Sequence, residues 1–314
     1  MLDQALSHLP GIGPERLRRL HDAGIWTWAD VCARPPPPTV RLGPAAWDAV
    51  RCEAERCQQA CQNGDLRYLA TRLNPADRWR LLAEYLADAT FVDIETTGLT
   101  WSSQITVIAG WQDGRCHTFV RGENLDAALD LLEQARLLVS FNGSSFDVPH
   151  ILRAFNIPEL PCSHLDLRWV CYREALRGGL KAIERALGFN RPPELVGVDG
   201  AEAVQLWQAW ERHHDAAARQ RLESYCRADT LAMRRIAVEL LRRRGCAIPP
   251  ETTDDGSAGA TPSHAQNPPG GEPVREYGRD TVPSPSADSA IPRSQPDFAR
   301  LRRLLFEQRG NADR

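Results

Sequence analysis

The sequence predicts an α/β chain: a mixed five-stranded sheet flanked by helices, preceded by a small all-α region and followed by a disordered tail. Three observations carry this. From Ala89 onward, short alternating or β-branched apolar runs replace helical periodicity, in the order three strands, then helix, strand, helix, strand. That order fits a mixed sheet with helices on its faces. Residues 1–88 instead read as short helices cut by Pro and Gly. Residues 249–296 hold 10 of the 23 prolines and few large apolar side chains, too little burial to offset chain entropy.

The elements follow in order. Leu9–Gly13 (LPGIG) cannot be helical, because Pro10 and two glycines interrupt it. Pro14 suits the first position of a helix that stops at Gly24, and a third helix begins in the run from Ile25. Pro35–Pro38 is a stiff spacer, and helices are expected at about 44–62 and 75–87. Ala89–Glu95 (ATFVDIE) reads as a buried strand. Ser103–Trp111 and Arg115–Val120 alternate as strands around an Asp113-Gly114 hairpin turn. Then come a helix over Asn124–Gln134, a strand over Ala135–Asn142, a helix over Phe146–Phe155 and a strand over Ser163–Val170. Residues to about 244 are helical, with breaks near 178, 192 and 197. Asp297–Arg309 forms a short amphipathic tail helix, suited to a protein partner. The resulting division is 1–34, a helical connector 35–88, a sheet domain 89–246, a linker 247–296 and a tail 297–314.

Composition excludes several classes. The net charge of −3 rules out a generally basic nucleic-acid coat, so any such contact must be local. No run of eighteen apolar residues predicts a membrane span, and the N-terminus lacks a secretory pattern. Nine Cys, an odd number with no CxxC, read as reduced thiols of a cytoplasmic protein. Cys52, Cys57 and Cys61 share one helix but lack a fourth ligand for a metal. Lys181 is the only Lys among 38 basic residues, which, with abundant Ala and Pro, associates with a GC-rich bacterial coding sequence.

Three separated segments place acids in distinctive settings. In Phe91-Val-Asp93-Ile-Glu95-Thr-Thr-Gly98, strand alternation points Asp93 and Glu95 the same way. Adjacent carboxylates repel unless a cation lies between them. In Asn142-Gly-Ser-Ser-Phe146-Asp147, a strand ends and Asp147 opens a helix at the sheet edge. In Tyr225-Cys-Arg-Ala-Asp229, the four-residue spacing puts both side chains on one helix face. Together they read as four carboxylates, Asp93, Glu95, Asp147 and Asp229, holding two divalent ions, with Mg²⁺ or Mn²⁺ selected by oxygen-only ligands. Two such ions suit in-line phosphoryl displacement, with Tyr225 orienting the water.

The three segments resemble the motifs D-x-E-T-T-G, N-x-x-x-F-D and Y-x-x-x-D of the DEDD superfamily of 3′–5′ exonucleases, tyrosine subtype, over about 89–245. His164-Leu-Asp166 and Gly179-Leu-Lys181-Ala-Ile-Glu184 further resemble the YprB-like group. The resemblance implies a ribonuclease H-like fold and metal-dependent 3′–5′ hydrolysis of nucleic acid. It implies Asp93, Glu95, Asp147, Tyr225 and Asp229 as catalytic residues and Asn142 as a nucleic-acid contact. A ribonuclease D-like RNA trimmer and a non-catalytic nucleic-acid-binding protein with a relic metal site remain as alternatives. Asp166 reads either as part of the site or as a backbone acceptor.

Leu9–Gly13 between two helices resembles a helix-hairpin-helix motif. Backbone N–H groups at Gly11, Ile12 and Gly13 are expected to approach a phosphate, which favours DNA as partner, with a protein-contact or purely structural role as the alternative. Residues 1–85 carry 11 basic and 10 acidic side chains, net +1, so the region is no electrostatic magnet. Basic residues at 173, 177, 181 and 185 would form one stripe on a continuous helix, but Gly178-Gly179 breaks it, and Lys181 reads either as a phosphate contact or as part of a solvated face. His213-His214 reads as a solvated helix face.

Overall fold

The computed structural model describes residues 1–248. It opens with helices α1 (Pro14–Asp22), α2 (Trp28–Ala33), α3 (Pro44–Gln62), α4 (Leu66–Arg72) and α5 (Trp79–Tyr85). Gly13 precedes α1 with Pro14 at its first position, and Thr27 and Asp30 close a capping box at α2. Helix α4 was not expected from the sequence. Its signal is local: Gly64 turns the chain at φ 68°, and the Asp65 carboxylate caps Tyr68 N–H at 2.9 Å. The helix expected over 75–87 is correspondingly shorter.

The sheet is built from β1 (Ala89–Thr96), β2 (Ile105–Gln112), β3 (Arg115–Val120), β4 (Leu137–Ser140) and β5 (Ser163–Asp166), in the order β3-β2-β1-β4-β5. β1 pairs antiparallel with β2 and parallel with β4; β2–β3 is antiparallel and β4–β5 parallel. The mixed five-stranded sheet is therefore as expected. Asp113 (φ 50°) and Gly114 (φ 79°) turn β2 into β3 in the doubly left-handed geometry that matches strand twist.

Helices cover both faces. After α6 (Ala128–Gln134) and α7 (Asp147–Ala154) come α8 (Leu167–Arg173), α9 (Leu180–Ala186), α10 (Gly200–His213) and α11 (Ala216–Arg243). Helix α11 lies against β1 and β2, beside Val107 and Ala109. On the opposite face α6 approaches so closely that a Cβ on Gly110 would stand 2.4 Å from Leu131. One hydrophobic cluster joins the N-terminal helices to the sheet, running from Leu2 and Trp28 through Trp79 to Phe91, Val139 and Ile236.

The strand expected over 163–170 ends at Asp166. The alternating Leu165, Leu167 and Trp169 suggest a strand, but the Asp166 carboxylate caps Arg168 N–H, and Leu167, Val170 and Cys171 bury one helical face. Among the described residues no helix is long and apolar enough to cross a membrane. The expected linker and tail helix lie outside the described residues.

Candidate active site

Three elements converge on one cleft of about 190 Å³, lined by Asp93, Glu95, Phe141, Asn142, Phe146, Asp147, Tyr225 and Asp229 among others. Asp93 and Glu95 project from the α11 face of β1, because their register partners are Ala109 and Val107. Asp147 opens α7. Tyr225 and Asp229 stand one turn apart on α11. Thus all five residues expected to be catalytic, and Asn142, meet at one place.

The turn between β4 and α7 is held from outside the cleft. Asn142 takes left-handed backbone at φ 65°. Asp166 accepts the N–H of Asn142 at 2.8 Å and of Ser144 at 3.1 Å. Of its two readings, Asp166 takes the backbone-acceptor role. A Cβ on Gly143 would fall 1.9 Å from Ser140 Oγ, so only glycine fits beside Asp147. His164 Nε2 holds Ser140 Oγ at 2.7 Å.

The four acids are electrostatically crowded. Burial raises Asp93 well above the ordinary carboxylate range, and Asp229, Glu95 and Asp147 add to this. Glu95 is raised by burial and by Asp229 and Asp147. Burial brings Asp147 to about 7. Burial also raises Asp229, while Arg191 and Lys181 pull it back.

Two residues at the site, Cys226 and Arg191, were not assigned roles from sequence. Cys226 Sγ lies 3.4 Å from both the carbonyl and Oδ2 of Asp93, and burial keeps it a thiol, a donor steadying that carboxylate. Arg191, from the loop after α9, forms ion pairs with Asp229 and with buried Glu184. The loop sequence Asn-Arg-Pro-Pro gives no periodicity from which this could be read. Lys181, expected at a phosphate or on a solvated face, instead turns inward: its Nζ donates to the Val198 carbonyl and lies 4.6 Å from the centre of the Tyr225 ring. Tyr225 is buried, its hydroxyl within hydrogen-bonding reach of Asp229.

The donor set suits a hard divalent cation. Four carboxylates converge on the cleft, and Arg191 and Lys181 beside Asp229 supply too little positive charge to balance them. Oxygen atoms of Asp93 and Glu95 and the Cys226 sulfur lie within 4.8 Å of one another. Asp93, Glu95, Asp147 and Asp229 are the residues that would hold such an ion.

At the N-terminal hairpin the picture differs from expectation. Ile12 is buried and its N–H donates to Leu9 O at 3.0 Å, which closes the turn and occupies the group expected at a phosphate. Gly11 has φ 71°, and its carbonyl accepts from Arg16. Gly13 caps α1. Arg18 pairs with Glu15 and Asp22, and Arg19 with Glu15. The arginines beside the hairpin are thus engaged within the region. His213 and His214 are exposed, as expected.

Residues 90–241 match the family model of the RNase H superfamily. A family B DNA polymerase from the hyperthermophilic archaeon Pyrobaculum calidifontis is similar in structure, at 18% identity and a TM-score of 0.40, over 49% of this chain. The present chain spans about a quarter (24%) of that polymerase. No curated protein matches the sequence. On the sheet order and the family match together, residues 90–241 form an RNase H-like domain.

Proposed function

We propose that the chain is a metal-dependent 3′–5′ exonuclease that hydrolyses phosphodiester bonds of nucleic acid, with DNA the favoured substrate. The observation that carries this reading is the meeting of Asp93, Glu95, Asp147 and Asp229 in one cleft with Tyr225 beside them. The 3′–5′ polarity comes from the motif resemblance, and the preference for DNA from the resemblance of Leu9–Gly13 to a helix-hairpin-helix motif, through the N–H groups of Gly11 and Gly13 rather than that of Ile12.

The residues divide the work. Asp93, Glu95, Asp147 and Asp229 hold Mg²⁺ or Mn²⁺, two ions in all. Bound divalent ions supply Lewis acidity for phosphoryl transfer at neutral pH. The Tyr225 hydroxyl orients the attacking water, and the Lys181 ammonium under its ring fixes the ring's position. Asn142, on the cleft rim, contacts the nucleic-acid strand. Asp166 and Gly143 keep the Asn142–Asp147 turn in shape, so that Asp147 enters the cleft at the start of α7.

The test is a panel of matched 5′-labelled DNA and RNA strands incubated with Mg²⁺, Mn²⁺ or chelator. The reading expects a ladder of products shortened from the 3′ end, dependent on the ion and faster on DNA. Faster trimming of RNA would favour the ribonuclease D-like alternative. Binding without products under every ion would favour the non-catalytic one.

A further inference from the structure

Helix α8 carries a second feature. Seven large apolar side chains are exposed among the described residues, and two of them, Trp169 and Tyr172, share one face of this helix. They are 56% and 49% exposed, with ring centres 6.2 Å apart. A guanidinium lies against each: Arg168 is 5.8 Å from the Trp169 ring centre and Arg177 is 4.4 Å from that of Tyr172. Arg173 is exposed beside them. The one acid within residues 167–177, Glu174, is neutralised by Arg244.

This ridge is continuous with the cleft. Arg168 Nη1 donates to Oδ1 of Asn142, which lines the cleft, and Asp166 at the head of α8 holds the Asn142 N–H. Anything lying along α8 therefore arrives at the rim formed by Asn142.

Exposed rings and arginines together select among occupants. An apolar protein surface would satisfy the rings and strand the guanidinium groups of Arg173 and Arg177. A nucleic-acid duplex would satisfy the arginines, but its bases are already stacked on one another. A single strand satisfies both: unpaired bases stack on the rings, and phosphates meet guanidinium edges. We propose that the outer face of α8, formed by Arg168, Trp169 and Tyr172, together with Arg177 from the loop that follows it, is a stacking platform that holds single-stranded nucleic acid at the mouth of the cleft. This rests on the reading that the cleft acts on nucleic acid, and it adds a preference for unpaired strands.

The test is binding of 5′-fluorescent single-stranded and duplex 20-mers, as DNA and as RNA, to the full chain by fluorescence anisotropy in chelator. Hydrolysis of the same strands with Mn²⁺ is followed in parallel. Base stacking is lost with each ring, so Trp169→Ala/Tyr172→Ala should weaken single-strand affinity at least about tenfold. Duplex affinity and the salt dependence should hardly change. Trp169→Phe/Tyr172→Phe should restore most of the loss. Arg168→Gln/Arg177→Gln should lower the salt slope by about two phosphate contacts. Both rings are exposed, so the variants should fold as the wild type does, which circular dichroism checks. If the wild type hydrolyses strands while the alanine pair binds them unchanged, the platform is wrong and the cleft reading stands. Equal losses on single strand and duplex would also overturn it. A wild type that neither binds nor hydrolyses any strand would overturn both.

Discussion

Arg191 forms an ion pair with Oδ1 of Asp229, the α11 carboxylate that faces Asp93 and Glu95 across the cleft. Its other partner is Glu184, bonded from Arg191 Nε at 2.7 Å. Arg191 is thus a cation of the protein's own, placed on one of the residues proposed to hold the ion.

That relationship gives the first prediction. Arg191→Gln leaves Asp229 and Glu184 buried without their counter-charge, and removing one partner of a buried pair costs about 3–5 kcal/mol. The melting temperature in chelator should fall. Mn²⁺, which binds the folded chain and not the unfolded one, should raise it by more in the variant than in the wild type. Equal Mn²⁺ responses would show that Arg191 is a structural clamp without influence on the ion.

The second concerns Tyr225. Tyr225→Phe keeps the ring over Lys181 and removes the hydroxyl near Asp229. The turnover rate should fall by about 10- to 1000-fold with little change in KM, as for a lost positioning contact. Stability should shift by about 1 kcal/mol. Full activity of Phe together with instability of Ala would make Tyr225 a packing residue.

The third is a pH dependence. Burial brings the Asp147 carboxyl to about 7 in the folded chain, against about 4 unfolded. A carboxyl raised on folding holds its proton more tightly in the native state. Its contribution to stability is therefore full below about pH 4 and lost as pH rises through about 7. In chelator, the wild type should lose more stability between pH 5 and 8 than Asp147→Asn does, measured by urea unfolding at each pH. Parallel curves would remove Asp147 from this role.

The fourth concerns the turn. Asp166→Ala frees the N–H groups of Asn142 and Ser144 and uncaps α8, at about 1–2 kcal/mol. Activity should drop while Mn²⁺ binding by calorimetry persists, because Asp166 is not a proposed ligand.

The strand carboxylates were legible because β-strand alternation fixes which side chains share a face: the D-x-E spacing needs no tertiary information. Tyr225 and Asp229 were legible by the same logic on a helix. Arg191 was not, because its position depends on how a Pro-bounded loop returns to the sheet. Lys181 was misread for a related reason. A lone Lys after two glycines looks solvent-exposed in sequence, and only packing of α9 against α11 turns it beneath Tyr225. Residues 163–170 show the limit of pattern alone, since alternation predicted a strand and the Asp166 cap made a helix.

The most direct test of the four-carboxylate site is turnover of a 5′-labelled single strand by Asp93→Ala and Asp229→Ala at matched Mn²⁺. Losing one carboxylate disables the whole clamp, so hydrolysis should vanish in both variants. Asp93→Ala should at the same time be at least as stable as the wild type in chelator, because it relieves repulsion from Asp229, Glu95 and Asp147. Retained turnover in both folded variants would contradict the assignment of this cleft as a metal-dependent active site.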